Sequence, residues 1–154
     1  DASGFCARTS TDPRRLVAVD TTGDTSKRVT LMTAPGADPR YRDSVATAFA
    51  KAGIAPTVIA DSPGFILQRM RAMIANLGCE MAQIGLASLA DIDTAMKLGL
   101  NYPLGPLEIA EEMGVARTHA IIGAIHAATQ DPRYRPSLWL RRRALLGLPV
   151  HTEG

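Results

Sequence analysis

Asp61-Ser62-Pro63-Gly64-Phe65-Ile66 is the stretch where the chain changes character. Before it, apolar residues come in short β-branched runs; after it, they come at helical spacing. Pro63 holds the residue before it in extended backbone, and Gly64 permits a conformation that a side chain would obstruct, so the stretch predicts a sharp corner leading into a helix. Beyond the corner, Ile66, Met70, Met73, Leu77, Met81 and Ile84 recur at steps of three and four, an apolar stripe about five turns long. A second line, Ala72, Ala75, Cys79 and Ala82, carries small side chains that let another helix approach closely. Two apolar faces imply two packing partners. These are either the helix's own bundle and a second subunit, or two layers of one bundle.

Upstream, Leu16-Val17-Ala18-Val19 and Val29-Thr30-Leu31-Met32 read as strands, ended by Asp20 to Gly23 and by Ala34-Pro35-Gly36. Asp38-Pro39 supplies an N-cap and a proline at the first helical position, and Tyr41, Val45, Ala48, Phe49 and Ala52 follow at helical spacing until Gly53. Pro56-Thr57-Val58-Ile59 returns to β character. Residues 1 to 13 are small, polar and turn-forming with no initiator Met, and read as the irregular start of a piece of something longer.

Downstream, only helices are predicted. Gly85 closes the first, and Ser88-Leu89-Ala90-Asp91 opens a second that runs to Gly99. Pro106 begins a short third, stopped by Gly114, and Val115 to Thr129 forms a fourth. Pro136-Ser137 starts the last, which reaches Gly147, and residues 151 to 154 read as a frayed tail. The class is α+β, mainly α: a partial α/β segment over 1–60 followed by a five-helix domain over 61–150.

The balance of 46% hydrophobic to 21% charged residues over 154 positions is that of a globular protein and excludes a disordered chain. A net charge of +2 gives no reason to expect a nucleic-acid partner. The basic cluster Arg133 to Arg143, with apolar residues interleaved, fits an amphipathic helix with a solvated basic face, and leaves room for an anionic ligand such as a CoA phosphate. Cys6 and Cys79 have no metal-type spacing and read as buried thiols, and no run of eighteen apolar residues or apolar leader occurs. No membrane partner is expected, and a reducing cytoplasm is the expected setting. His119 and His126 share a helix face at a separation that suits no single metal without other donors, so no metal site is expected.

Three blocks carry a resemblance: Asp61 to Ile66 with Arg69, then Ala90-Asp91-Ile92-Asp93-Thr94-Ala95-Met96-Lys97-Leu98-Gly99, then Tyr102-Pro103-Leu104-Gly105-Pro106-Leu107. In this order and at these separations they resemble the C-terminal domain of the NAD-dependent 3-hydroxyacyl-CoA dehydrogenase family, over about residues 56 to 147. The resemblance implies a reduced Rossmann-like fragment followed by a helical bundle like the C-terminal domain of 6-phosphogluconate dehydrogenase. It also implies an acyl-CoA substrate, NAD in the parent enzyme, and a homodimer formed through the helical domain.

Residue by residue, the resemblance places Gln68 where the family has a substrate-contacting Asn, and Pro103, Leu104 and Pro106 in a loop beside the acyl-binding cleft. A rigid interhelical turn explains those prolines equally well. Asp91 and Asp93, in the first turn of their helix, read as capping residues. The family's His-Phe-Phe-Asn-Pro strand aligns with Val17 to Thr21, which has no base except Asp20, and no Gly-x-Gly-x-x-Gly turn occurs. Gln68 is one methylene longer than Asn, and a displacement of roughly 1 Å costs on the order of a hundredfold in rate. The expectation is therefore no catalytic residue and no bound cofactor in this portion. It resembles the second, degenerate copy of the helical domain in bacterial 3-hydroxybutyryl-CoA dehydrogenases, acting as a cleft wall and dimer contact or as a scaffold that binds no acyl-CoA.

Overall fold

The computed structural model describes residues 1–153, which form two units, 1–67 and 68–153. The first unit begins with helix α1 (Ala2–Thr9), where the sequence suggested irregular chain. The reason is an acidic clamp that no local pattern reveals. Asp1 accepts the Gly4 N–H at 2.6 Å, and Asp61, far along the chain, accepts those of Ala2 at 2.7 Å and Ser3 at 3.1 Å. Two carboxylates thus satisfy the free amides and face the positive end of the helix dipole.

Strand β1 (Ala18–Asp20) pairs antiparallel with β2 (Arg28–Met32), and β2 pairs in parallel with β3 (Ala55–Ile59), giving the order β1-β2-β3. Helix α2 (Pro39–Lys51) makes the crossover that a parallel pair requires. Its boundaries match the proline start and glycine stop of the sequence. Val29 and Leu31 alternate inward on β2, while Met32 and Ala34 join Ala2 in a small core edged by Leu16, Ile59 and Phe65. Phe65 packs there, and the Ser62 N–H meets the Met32 sulfur at 3.1 Å. The Pro63-Gly64 corner therefore belongs to the first unit, and the division falls after Leu67 rather than at residue 60.

The second unit holds five helices: α3 (Leu67–Gln83), α4 (Leu89–Leu100), α5 (Pro106–Met113), α6 (Val115–Thr129) and α7 (Leu138–Leu146). Asn101, in left-handed backbone, ends α4, and Gly99 is simply a helical residue. Leu107, Ile122, Ile125 and Leu140 are fully buried with Ile92, Met113 and Val150. Each such side chain contributes roughly 1.5–3 kcal/mol relative to exposure.

Of the two faces of α3, the line of small residues is the buried one: Ala72, Ala75 and Cys79 have no exposure. Gly78 lies within this line, where a Cβ would sit 2.5 and 2.7 Å from the Cβ and Cγ of Pro106, so the start of α5 rests on α3 through the missing side chain. The large stripe turns outward. Met70, Leu77 (57% exposed) and Ile84 (66%) are open, while Met73 and Met81 pack partly on the core. No helix among the described residues is long and apolar enough to cross a membrane.

Candidate functional site

Gln68 stands in the first turn of α3 and is half-buried. The Tyr102 to Pro106 loop meets the same helix at Gly78, roughly 15 Å further along at 1.5 Å rise per residue. The residues assigned to the substrate cleft are thus not gathered at one point of the bundle. Pro103 is exposed, Leu104 packs partly on the core, and Pro106 is sealed inside. Within the chain Pro106 positions the loop, and Pro103 is its accessible apolar surface.

The loop is held from below by charge. Gly105 caps α5 with help from Glu108, whose carboxylate accepts the Gly105 N–H at 2.8 Å and pairs with Lys97 at 2.6 Å. The Lys97 hydrogen bond, then the Gly105 amide, holds the Glu108 carboxyl below its usual range. Asp93 reaches across from α4 and accepts the Leu107 N–H at 2.8 Å. Asp91 does what the sequence suggested, closing the Ser88 cap, whereas Asp93 caps the next helix instead of its own. Any side chain at Gly105 would collide with Asp93.

Through residue 153 the tail is anchored, against the expectation of fraying, while residue 154 lies outside the described residues. His151 Nε2 lies 3.0 Å from Asp93 Oδ2, and its Nδ1 faces Glu111 at 3.7 Å. Glu111 accepts the Val150 N–H, the Trp139 indole donates to the Val150 carbonyl at 2.9 Å, and Arg143 donates to the Thr152 carbonyl. Arg143 is buried and stacks on Trp139 at 3.2 Å, so the basic face of α7 is not uniformly solvated. With Asp93 against Nε2 and Glu111 facing Nδ1, His151 clamps the tail. No spacing motif foreshadows this pair, whose members are remote in the chain.

Asn76 is the other buried organiser. Its amide donates to the Arg135 carbonyl at 2.9 Å and accepts the Ser137 N–H at 2.8 Å, tying α3 to the start of α7. Beside it a cleft of about 390 Å³ has Met70, Met73, Ile74 and Leu77 as its apolar floor. Arg69 donates to the Tyr134 hydroxyl at 2.9 Å.

In the first unit, the turn after β2 is the place where a parallel β-α-β unit would hold a dinucleotide pyrophosphate. Here Asp38 occupies the α2 N-terminus, accepting the Arg40 N–H at 2.9 Å, and Pro39 offers no amide. A carboxylate at that position repels a pyrophosphate, so these residues do not fit NAD. Asp20, the base candidate of β1, is buried and accepts the Thr22 N–H at 3.0 Å, a turn-forming role.

Residues 64–153 match the family described as 3-hydroxyacyl-CoA dehydrogenase, C-terminal domain. The chain belongs to the 3-hydroxyacyl-CoA dehydrogenase family. It is 46% identical over 88 residues to the 3-hydroxyadipyl-CoA dehydrogenase of Escherichia coli, an alignment covering 57% of this chain and 18% of that protein. It is 37% identical over 104 residues to a probable 3-hydroxybutyryl-CoA dehydrogenase of Deinococcus radiodurans, covering 68% and 37%. A crystal structure of 3-hydroxybutyryl-CoA dehydrogenase from E. coli superposes with a TM-score of 0.80 at 34% identity, covering 94% of this chain and 30% of that one. The chain thus spans well under half the length of these dehydrogenases, and its family match lies almost wholly in the helical unit.

Proposed function

We propose that this chain is the helical portion of an NAD-dependent enzyme that oxidises 3-hydroxyacyl-CoA to 3-oxoacyl-CoA, and that it supplies cleft walls and subunit contacts rather than the reacting groups. The observation that carries this reading is the family match over 64–153, together with a bundle in which Pro103 stays accessible and Gln68 occupies the first turn of α3. NAD supplies the hydride acceptor in the parent enzyme. In this reading it sits on residues outside the β2–α2 turn, which Asp38 closes to a pyrophosphate. The chain's own work is to bind and orient: Gln68 contacts polar groups of the acyl-CoA, with Pro103 and Leu104 as apolar wall and Pro106 as their support.

The outward stripe of α3 is the subunit contact of this reading. Met70, Leu77 and Ile84 form a line of large side chains at helical spacing, and burying such a line against a second copy is the direct way to remove it from water. The parent enzyme is placed in the cytoplasm, in keeping with two free, buried cysteines.

A second reading, a scaffold that binds no acyl-CoA, is favoured by the separation of Gln68 from the Pro103 loop and by the burial of Pro106. Calorimetric titration of the chain with acetoacetyl-CoA separates the two. Saturable heat that falls in Gln68→Ala supports the cleft-wall reading, and no heat supports the scaffold. NADH oxidation by the chain alone would overturn both.

A further inference from the structure

A cleft of about 640 Å³ in the helical unit has no part in the proposed reaction. Its size falls in the range of about 300–1,000 Å³ usual for small-molecule sites. His119 and His126, on one face of α6, both open into it, joined by Arg135 and Arg141 and by Glu80 and Gln83 of α3, with the first residues of α7 completing the wall. We propose that this cleft binds a phosphate group, free or esterified, between the two imidazoles and Arg141.

The charge balance favours an anion. Glu80 is the acidic side chain lining the cleft, and it lies 3.9 Å from Arg135, so that pair cancels and leaves Arg141 with two imidazoles. Asp131 faces His126 from outside the cleft, already bound through both oxygens by Arg133. Neither imidazole has a hydrogen-bond partner among the described residues. Burial first, and Arg141 second, hold His119 below its ordinary range. An oxyanion placed there relieves that penalty, accepts from the planar Arg141 fork and lies against the positive end of α7.

Titration of the chain with inorganic pyrophosphate and with coenzyme A, followed by the histidine ring-proton NMR signals, tests this. The His119 and His126 signals are expected to move saturably, with affinity rising several-fold as pH falls, because the bound anion favours a protonated His119. Arg141→Gln is expected to weaken binding by about tenfold. Arg142→Gln, on the same helix but outside the cleft, should leave it unchanged. Similar affinity for both probes identifies the phosphate group alone as the ligand, and tighter binding of coenzyme A an esterified one. Unmoved histidine signals, or equal weakening by the two arginine variants, overturn the site. The inference is independent of the dehydrogenase reading, since no turnover is measured.

Discussion

His151 Nε2 lies 3.0 Å from Asp93 Oδ2, so a residue near the chain's end is fastened to a buried carboxylate that also caps α5 through Leu107. Asp93 is 4% exposed and uses both oxygens. Asp93→Ala would leave the buried Leu107 N–H without an acceptor and release the tail, an expected loss of about 3 kcal/mol. Asp93→Asn keeps one acceptor and is expected to cost less. Urea denaturation of the two variants checks the order, and equal losses would argue against the shared cap.

The tail clamp has its own reporter, since Trp139 is the chain's one tryptophan and its indole donates to Val150. His151→Ala should loosen residues 150–153, expose Trp139 and shift its fluorescence to the red, while far-ultraviolet circular dichroism stays that of the folded bundle. An unchanged emission spectrum would show that Glu111, Trp139 and Arg143 hold the segment without His151.

Gly78 should reject even a methyl group. Alanine is about 1 kcal/mol better than glycine in a helix, yet a Cβ here enters the Pro106 ring, which is locked between α3 and Leu107. Gly78→Ala is expected to lower stability by about 1–3 kcal/mol. The reverse prediction holds at Gly99, where a Cβ meets nothing: Gly99→Ala should stabilise by a few tenths to about 1 kcal/mol.

Burial pushes the Cys79 thiol up to about 12, against the opposing pull of Arg143 and a Ser137 hydrogen bond. At about pH 8 it is protonated and inert. In a Cys6→Ser background, reaction with a disulfide reagent should proceed only as fast as the unit unfolds. Rapid labelling of native protein would contradict the packing of α3.

Asp61 behaves oppositely. Burial raises its pKa, but the Ser3 side chain and the Ala2 and Ser3 amides outweigh that and hold the carboxyl below its model-peptide range. A carboxyl lowered in the folded state stabilises above its unfolded pKa of about 3.9, and that contribution is lost as pH falls through the lower folded value. Asp61→Asn should remove this acid-dependent part and fray α1, which amide hydrogen exchange at Ala2 and Ser3 would read directly.

What the sequence by itself determined were the features set by local chemistry. The starts of α2, α4, α5 and α7 follow from Asp38, Ser88, Pro106 and Ser137, and the stops of α2, α5 and α7 from Gly53, Gly114 and Gly147, whereas α4 runs through Gly99 to a left-handed Asn101. The family was legible for the same reason, since its motifs are corners and caps whose residue types are dictated by backbone geometry. Tertiary structure decided the rest. Spacing identified two apolar faces of α3, but only packing showed that Ala72, Ala75 and Cys79 turn inward while Leu77 and Ile84 remain open, because close helix approach selects small side chains. Likewise the role of Asp93, the anchoring of His151 and the formation of α1 through Asp61 depend on partners brought together by the fold, and no period in the chain encodes such contacts.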